Sequence, residues 1–242
     1  MTQAPAPAPT NADDGFWRTH GWWPLACFAL ASAVILVFEP DRAIAEAIYF
    51  DVGTQHWIGT GAGDWWARAL LHEGGRWLVR GIAAAALLTW GLSFKVTRLR
   101  SWRRASIFVF LAMVLATGLV GGLKSITNVD CPWDLAGYGG DNPYVTLFGD
   151  RPDALPRAKC FPGAHASSGF SLMCFYFALR DRSRRAAWWA LAGALLVGVI
   201  FSIGQEARGA HFLSHDLTSA AIVWFLQLGL YAWFLKPRPG AA

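Results

Sequence analysis

Long uncharged apolar runs recur along this chain and leave few folds open to it. Six stretches, about 21–38, 77–94, 105–123, 165–179, 186–204 and 217–235, approach the roughly 20 helical residues needed to cross a hydrocarbon core about 30 Å thick. The fourth is the shortest and opens on polar residues. A backbone in lipid must bond to itself, which favours helices over isolated strands. A soluble domain would not usually combine such runs with a chain that is 55% hydrophobic and carries 14 Trp in 242 residues. The expected fold class is therefore all-α: an integral membrane six-helix bundle with short outer-face helices.

The basic residues orient it. Lys95–Arg104 holds five Lys or Arg and no acid, Arg180–Arg185 holds four Arg against Asp181, and Lys236 and Arg238 follow near the end. These stretches take 11 of the 21 basic residues and belong on the cytoplasmic side by the positive-inside rule. Both termini are then cytoplasmic, and the loops after the first, third and fifth runs lie outside. The net charge of +5 is mostly this topology signal rather than a nucleic-acid patch. The Pro/Ala-rich start, residues 1–15, reads as a disordered lead. It has neither a basic start nor a small-residue cleavage site, so the first run serves as an uncleaved anchor. Residues 16–238 form one domain, with no internal repeat and no Gly-rich nucleotide loop.

Alternation of direction carries a set of ionisable residues to one face. Lys124 ends the third run, His165 opens the fourth, and Arg208, His211, His215 and Asp216 fall between the fifth and sixth. His72, Glu73 and Arg76 arrive on the same side. Ionisable groups at bilayer depth are costly and usually functional. Lys and Arg suit phosphate oxygens, and a Pro-Gly turn entering a helix at Pro162–Gly163 offers backbone N–H groups to an anion. One imidazole can attack phosphorus while a second protonates the leaving oxygen. Each residue also has a plainer role: His165 as a helix cap, Arg208 as a headgroup anchor, Lys124 snorkelling to the interface. His211, His215 and Asp216 suggest zinc, but no further ligand stands at metal-site spacing. Phosphoryl transfer without metal or cofactor accounts for the whole set.

Lys124, the tetrapeptide Pro162–His165 (PGAH) and the run Arg208–Asp216 (RGAHFLSHD) together resemble the type-2 phosphatidic acid phosphatase superfamily, whose signature is K-x6-R-P, P-S-G-H and S-R-x5-H-x3-D. The resemblance implies a membrane phosphatase of lipid phosphates that needs no metal. Its catalytic residues are His211 as nucleophile, His165 as acid and base, and His215 or Asp216 orienting the nucleophile. Lys124, Arg208, Gly163 and Ala164 hold the phosphoryl oxygens, and the reaction passes through a phosphohistidine. This chain departs from the pattern in several places. Cys131 stands where the first arginine would be, Gly163 and Ala164 replace Ser and Gly, Gln205 occupies the second arginine position, and His215 falls four places after His211 with Asp216 one later.

The implied partner is a membrane lipid phosphate within a bilayer, with undecaprenyl pyrophosphate, phosphatidic acid, phosphatidylglycerol phosphate and lipid A as candidates, and no nucleic acid. A lipid-to-lipid phosphotransferase would use the same residues. A non-catalytic transporter or binding subunit would place its ionisable groups nearer the midplane. A bacterial inner membrane with a periplasmic site suits the basic loops and compact length. Cys131 and Cys160 bracket the long outer loop, and an oxidising exterior predicts a disulfide between them. Trp57, Trp65 and Trp66 predict an interfacial helix after the first run.

Overall fold

A computed structural model describes residues 12–147 and 149–237 of the chain. Four helices are long and apolar enough to cross a membrane by length and composition: α1 (Gly15–Phe38), α3 (Thr97–Lys124), α6 (Arg184–Glu206) and α7 (Leu213–Phe234). The other two expected runs are helical but differ from these. Helix α2 (Gly75–Leu92) has 18 residues and carries Arg76 and Arg80 in its first turns. The run at 164–179 is broken into α4 (Ala164–Phe170), a 3-10 turn (Ser171–Met173) and α5 (Cys174–Leu179). Its serines explain the break. Ser168 Oγ donates to the His165 carbonyl at 2.6 Å and Ser171 Oγ to that of Ser168 at 2.6 Å, which competes with the α-helical ladder and tightens the turn.

From Trp23 to Phe38 helix α1 is apolar on nearly every side, and the apolar window of α1 is wholly unburied, as lipid contact allows and water does not. Trp22, Trp23, Trp188, Trp189 and Trp233 are exposed as well. Within the fold, α3 packs on α2, α4 and α7, while α6 packs on α4 and α5. The shared core includes Phe108, Met113, Phe177, Val223 and Tyr231. Helices α4 and α6 meet through glycine: a Cβ at Gly169 would lie 2.9 Å from the Gly198 Cα, and one at Gly198 would lie 2.2 Å from the Phe170 ring. Small residues let membrane helices approach this closely.

The start of the chain corrects one boundary. Residues 1–11 of the expected disordered lead and Arg238 lie outside the described residues, whereas Ala12–Trp17 is helical, overlaps the start of α1 and is followed within α1 by π-type turns at Arg18–Trp22. The expected interfacial helix is corrected too. Trp65–Gly74 forms wide helical turns leading into α2, but Trp57 sits in a two-stranded hairpin, Phe50–Asp51 with His56–Trp57. There it is buried against Phe50 and Tyr138, at ring separations of 5.0 and 5.5 Å.

The long loop between α3 and α4 is tied down at both ends. Cys131 and Cys160 form the expected disulfide, with Cα atoms 5.1 Å apart. Arg151 Nε lies 2.7 Å from Asp130 Oδ2 and Asn142 Nδ2 donates to Asp130 Oδ1 at 2.8 Å, an ion pair almost closed to solvent. The hairpin, Leu135, Tyr138 and Phe212 complete a second apolar cluster over this end of the helices.

Candidate active site

Three backbone junctions meet at this end of the bundle: the C-terminus of α3, the N-terminus of α4 and the turn from α6 to α7. Lys124 is the last residue of α3, and His165 stands in the first turn of α4. His211 lies in the turn, and His215 and Asp216 lie in the first turn of α7. Charge coupling links them. Lys124 and Asp216 act on one another, His211 feels Lys124 and Arg208, and His165 feels His72, His211 and Arg208. Lys124, His165, Arg208, His211 and Asp216 thus lie within electrostatic reach of one another.

His211 Nδ1 lies 2.7 Å from Asp216 Oδ1, with both side chains almost fully buried. Burial first, then the cations Lys124 and Arg208, push the His211 pKa well below its usual value. The pair shares its proton along this bond, which commits Nδ1 to Asp216 and leaves Nε2 as the ring nitrogen without a partner among the described residues. Asp216, rather than His215, thus orients this imidazole. The His215 ring stands 5.9 Å from that of His211 and meets Phe161 edge-on at 5.4 Å. Its Nδ1 has no hydrogen-bond partner among the described residues.

Gly163 seals the pair. Its φ of −70° and ψ of 101° suit any residue, so it is space that demands glycine here. A Cβ would sit 2.0 Å from Asp216 Oδ1 and 2.7 Å from His211 Nδ1. The Gly163 N–H donates to the His215 carbonyl at 3.0 Å, and Ser219 Oγ donates to the Gly163 carbonyl at 2.9 Å. The expectation that the Gly163 amide serves an anion is corrected accordingly: that donor is spent on α7. The amides of Ala164 and His165, at a helix start, lack helical partners by geometry.

His165 Nε2 lies 3.1 Å from the Leu71 carbonyl. A carbonyl only accepts, so Nε2 carries the proton and Nδ1 is free for proton transfer. The ring stacks on Phe201 with centroids 4.5 Å apart. Lys124 makes no hydrogen bond or ion pair among the described residues, which leaves its ammonium available to an anion.

Sequence reading brought His72 to this face and named Gln205 only as a departure from the signature, without a role for either or for Glu206. Gln205 stands at the signature's arginine position and works as a bridge. Its Oε1 accepts from Arg208 Nη1 at 3.3 Å, so its amide nitrogen donates to His72 Nδ1 at 3.1 Å. His72 is therefore neutral with its proton on Nε2, and its ring centroid lies 4.6 Å from that of His165. Burial first, and then Arg208, lower the His72 pKa to about 4. Glu206, 5% exposed, lies within electrostatic reach of Asp216. The repeated delivery of polar groups by HEGGR and GQEARGAH was the available signal for both.

Among the described residues no group of three or more His, Cys, Asp or Glu is placed to hold a metal ion. An imidazole held by a carboxylate, a second imidazole with a free nitrogen and two cations form a phosphoryl-handling set. No match was found among curated proteins or among solved structures. A family model described as the PAP2 superfamily matches residues 105–239, more than half of the chain, and the chain belongs to that superfamily.

Proposed function

We propose that the chain is a metal-independent phosphatase of membrane lipid phosphates acting through a phosphohistidine. The superfamily is one of phosphoesterases, and the observation that carries the finer reading is the buried His211–Asp216 pair at 2.7 Å. Asp216 holds His211 in the tautomer that presents Nε2 to phosphorus. Lys124, Arg208 and the Ala164 and His165 amides stabilise charge on the phosphoryl oxygens as it develops. His165, its Nε2–H held by the Leu71 carbonyl, takes up a proton at Nδ1 as the substrate binds, gives it to the departing oxygen, and then takes one from the water that hydrolyses the phosphohistidine.

In this reading the six apolar runs all cross a bacterial inner membrane, both termini are cytoplasmic and the site faces the periplasm. The concentration of Lys and Arg at the opposite helix ends supports that orientation, and the exposed apolar face of α1 supports the bilayer setting. The test is phosphate release from lipid phosphates by the full chain in detergent, with vanadate as inhibitor and acid-labile phosphoenzyme as the trapped species. His165→Ala should slow turnover or accumulate phosphoenzyme, by about 10²–10⁴-fold in rate. His211→Ala should abolish both signals, and undiminished turnover by that variant would remove the nucleophile assignment.

A further inference from the structure

The superfamily signature has arginines at the positions that Cys131 and Gln205 occupy here, and neither residue replaces that charge. Cys131 is committed to its disulfide. Gln205 is neutral and engaged at both ends of its amide: Oε1 accepts from Arg208 Nη1 at 3.3 Å, and the nitrogen donates to His72 Nδ1 at 3.1 Å. Whatever position 205 does for an anion, it does through Arg208 and His72. Because its Nδ1 accepts, the His72 ring carries its proton on Nε2. That N–H has no hydrogen-bond partner among the described residues.

The ring stands where a bound phosphoryl group would meet it. His72 and His165 line one groove, with their centroids 4.6 Å apart, and His72 is also within electrostatic reach of Arg208 and His211. The carbonyl of Leu71, one residue earlier, accepts from His165 Nε2 at 3.1 Å. A single turn of chain thus fixes the tautomer of His165 and carries His72 beside it. Glycines let this turn close on α6. A Cβ at Gly75 would lie 2.5 Å from the Phe201 ring, on which His165 stacks, and one at Gly204 would lie 3.0 Å from Leu71 Cδ1. Packing, rather than the reach of one flexible side chain, keeps the two imidazoles together.

We infer that His72 is a further phosphate-binding residue: its Nε2–H donates to a non-bridging phosphoryl oxygen, and Gln205 is the positioning residue that keeps the proton on that nitrogen. The inference rests on the phosphatase reading and deepens it. His72 precedes residues 105–239, which carry the family match, so this donor comes from a segment outside that match. No proton is transferred from His72. It stays neutral, and its hydrogen bond strengthens as negative charge gathers on the oxygens. A neutral donor suits this place better than an arginine would. A further cation beside His165 would oppose the proton that His165 must carry to the departing oxygen.

The probe is inorganic orthovanadate, given to the full chain in detergent micelles. In unaltered protein with isotope-labelled histidine, nuclear magnetic resonance should show His72 as the Nε2–H tautomer, and that signal should shift when vanadate saturates the site. His72→Ala should bind vanadate about ten-fold more weakly and lose about the same factor in kcat/KM for a lipid phosphate, the scale of one hydrogen bond to a charged group. His72→Gln, whose amide nitrogen falls near the place of Nε2, should recover part of both losses. Gln205→Leu should leave His72 as a mixture of tautomers and weaken vanadate binding, whereas loss of packing alone would leave the tautomer unchanged. An unshifted His72 signal at saturating vanadate overturns the inference and leaves the phosphatase reading intact. So does a vanadate affinity of His72→Ala within about two-fold of the unaltered protein. Release of phosphate from no lipid phosphate overturns the phosphatase reading, and this inference with it.

Discussion

Adding one methyl group at Gly163 tests the site more sharply than deleting a catalytic group. An Ala Cβ there would stand 2.0 Å from Asp216 Oδ1, whereas ordinary contact begins near 3.4 Å. Something must yield by about 1.4 Å, the difference between those two distances. Asp216 is 2% exposed and His211 4%, so neither has open space to enter. If the carboxylate gives way, the 2.7 Å bond to His211 is stretched beyond hydrogen-bonding range. The stability cost is about 1–3 kcal/mol, as for other overpacked sites. The rate cost is larger, because a misplacement of about 1 Å costs on the order of 10²-fold. Gly163→Ala should therefore reduce kcat about 10²-fold with little change in KM, since orientation of the nucleophile matters only in the transition state. Gly163→Ser, which restores the residue of the superfamily signature, should behave no better. With Asp216→Gly already in place, Gly163→Ala should add little, because the atom it strikes is gone. Phosphate release, read beside thermal unfolding of each variant, decides the matter. Turnover by Gly163→Ala within about three-fold of the unaltered protein would refute the reasoning.

The two candidates for orienting His211 separate by substitution: Asp216→Asn should cost on the order of 10²-fold or more in kcat, by analogy with loss of the orienting carboxylate in a triad, and His215→Gln much less. Rates of phosphate release rank them, and the reverse order would reassign the role. Burial lowers the His72 pKa to about 4 in the folded chain, so below about pH 6.5 its unfolded form binds the extra proton. The stability that His72 contributes therefore falls as pH drops from about 6.5 to about 4 and levels off below that; a His72→Gln variant whose unfolding midpoint keeps the same slope across that window would contradict the neutral-imidazole assignment. Alkylation of non-reduced protein should label neither Cys131 nor Cys160, and Cys131→Ser with Cys160→Ser should lose about 3–4 kcal/mol on the chain-entropy account of a loop of 29 residues.

The departures from the superfamily signature make sense at the level of contacts. Gly163 replaces serine because the His211–Asp216 pair fills the space of a side chain. Gln205 replaces arginine and instead connects Arg208 to His72, a residue from before α2. In the proposed reaction Arg208 supplies the charge of the signature arginine, and its guanidinium lies 5.9 Å from the Trp133 ring. The loop that holds Trp133 is closed by the disulfide at Cys131, where the signature has its first arginine.

Read alone, the chain already dictates its helices, because lipid leaves the backbone no partner but itself and apolar runs of sufficient length can satisfy it in only one way. It also orders Lys124, His165 and His211 toward one face, since alternation of direction follows from counting runs. It does not decide between His215 and Asp216. Spacing in sequence translates into direction only within a regular helix, and His211 precedes α7 in an extended segment, with Phe212 at φ −93° and ψ 165°. Packing of α7 against Gly163 is what turns Asp216 toward His211 and His215 toward Phe161. The contacts of His72, Gln205 and the Leu71 carbonyl are decided in the same way: they come from distant elements, and only the packing of the Trp65–Gly74 turns on α6, and of α6 on α4, brings them to the imidazoles.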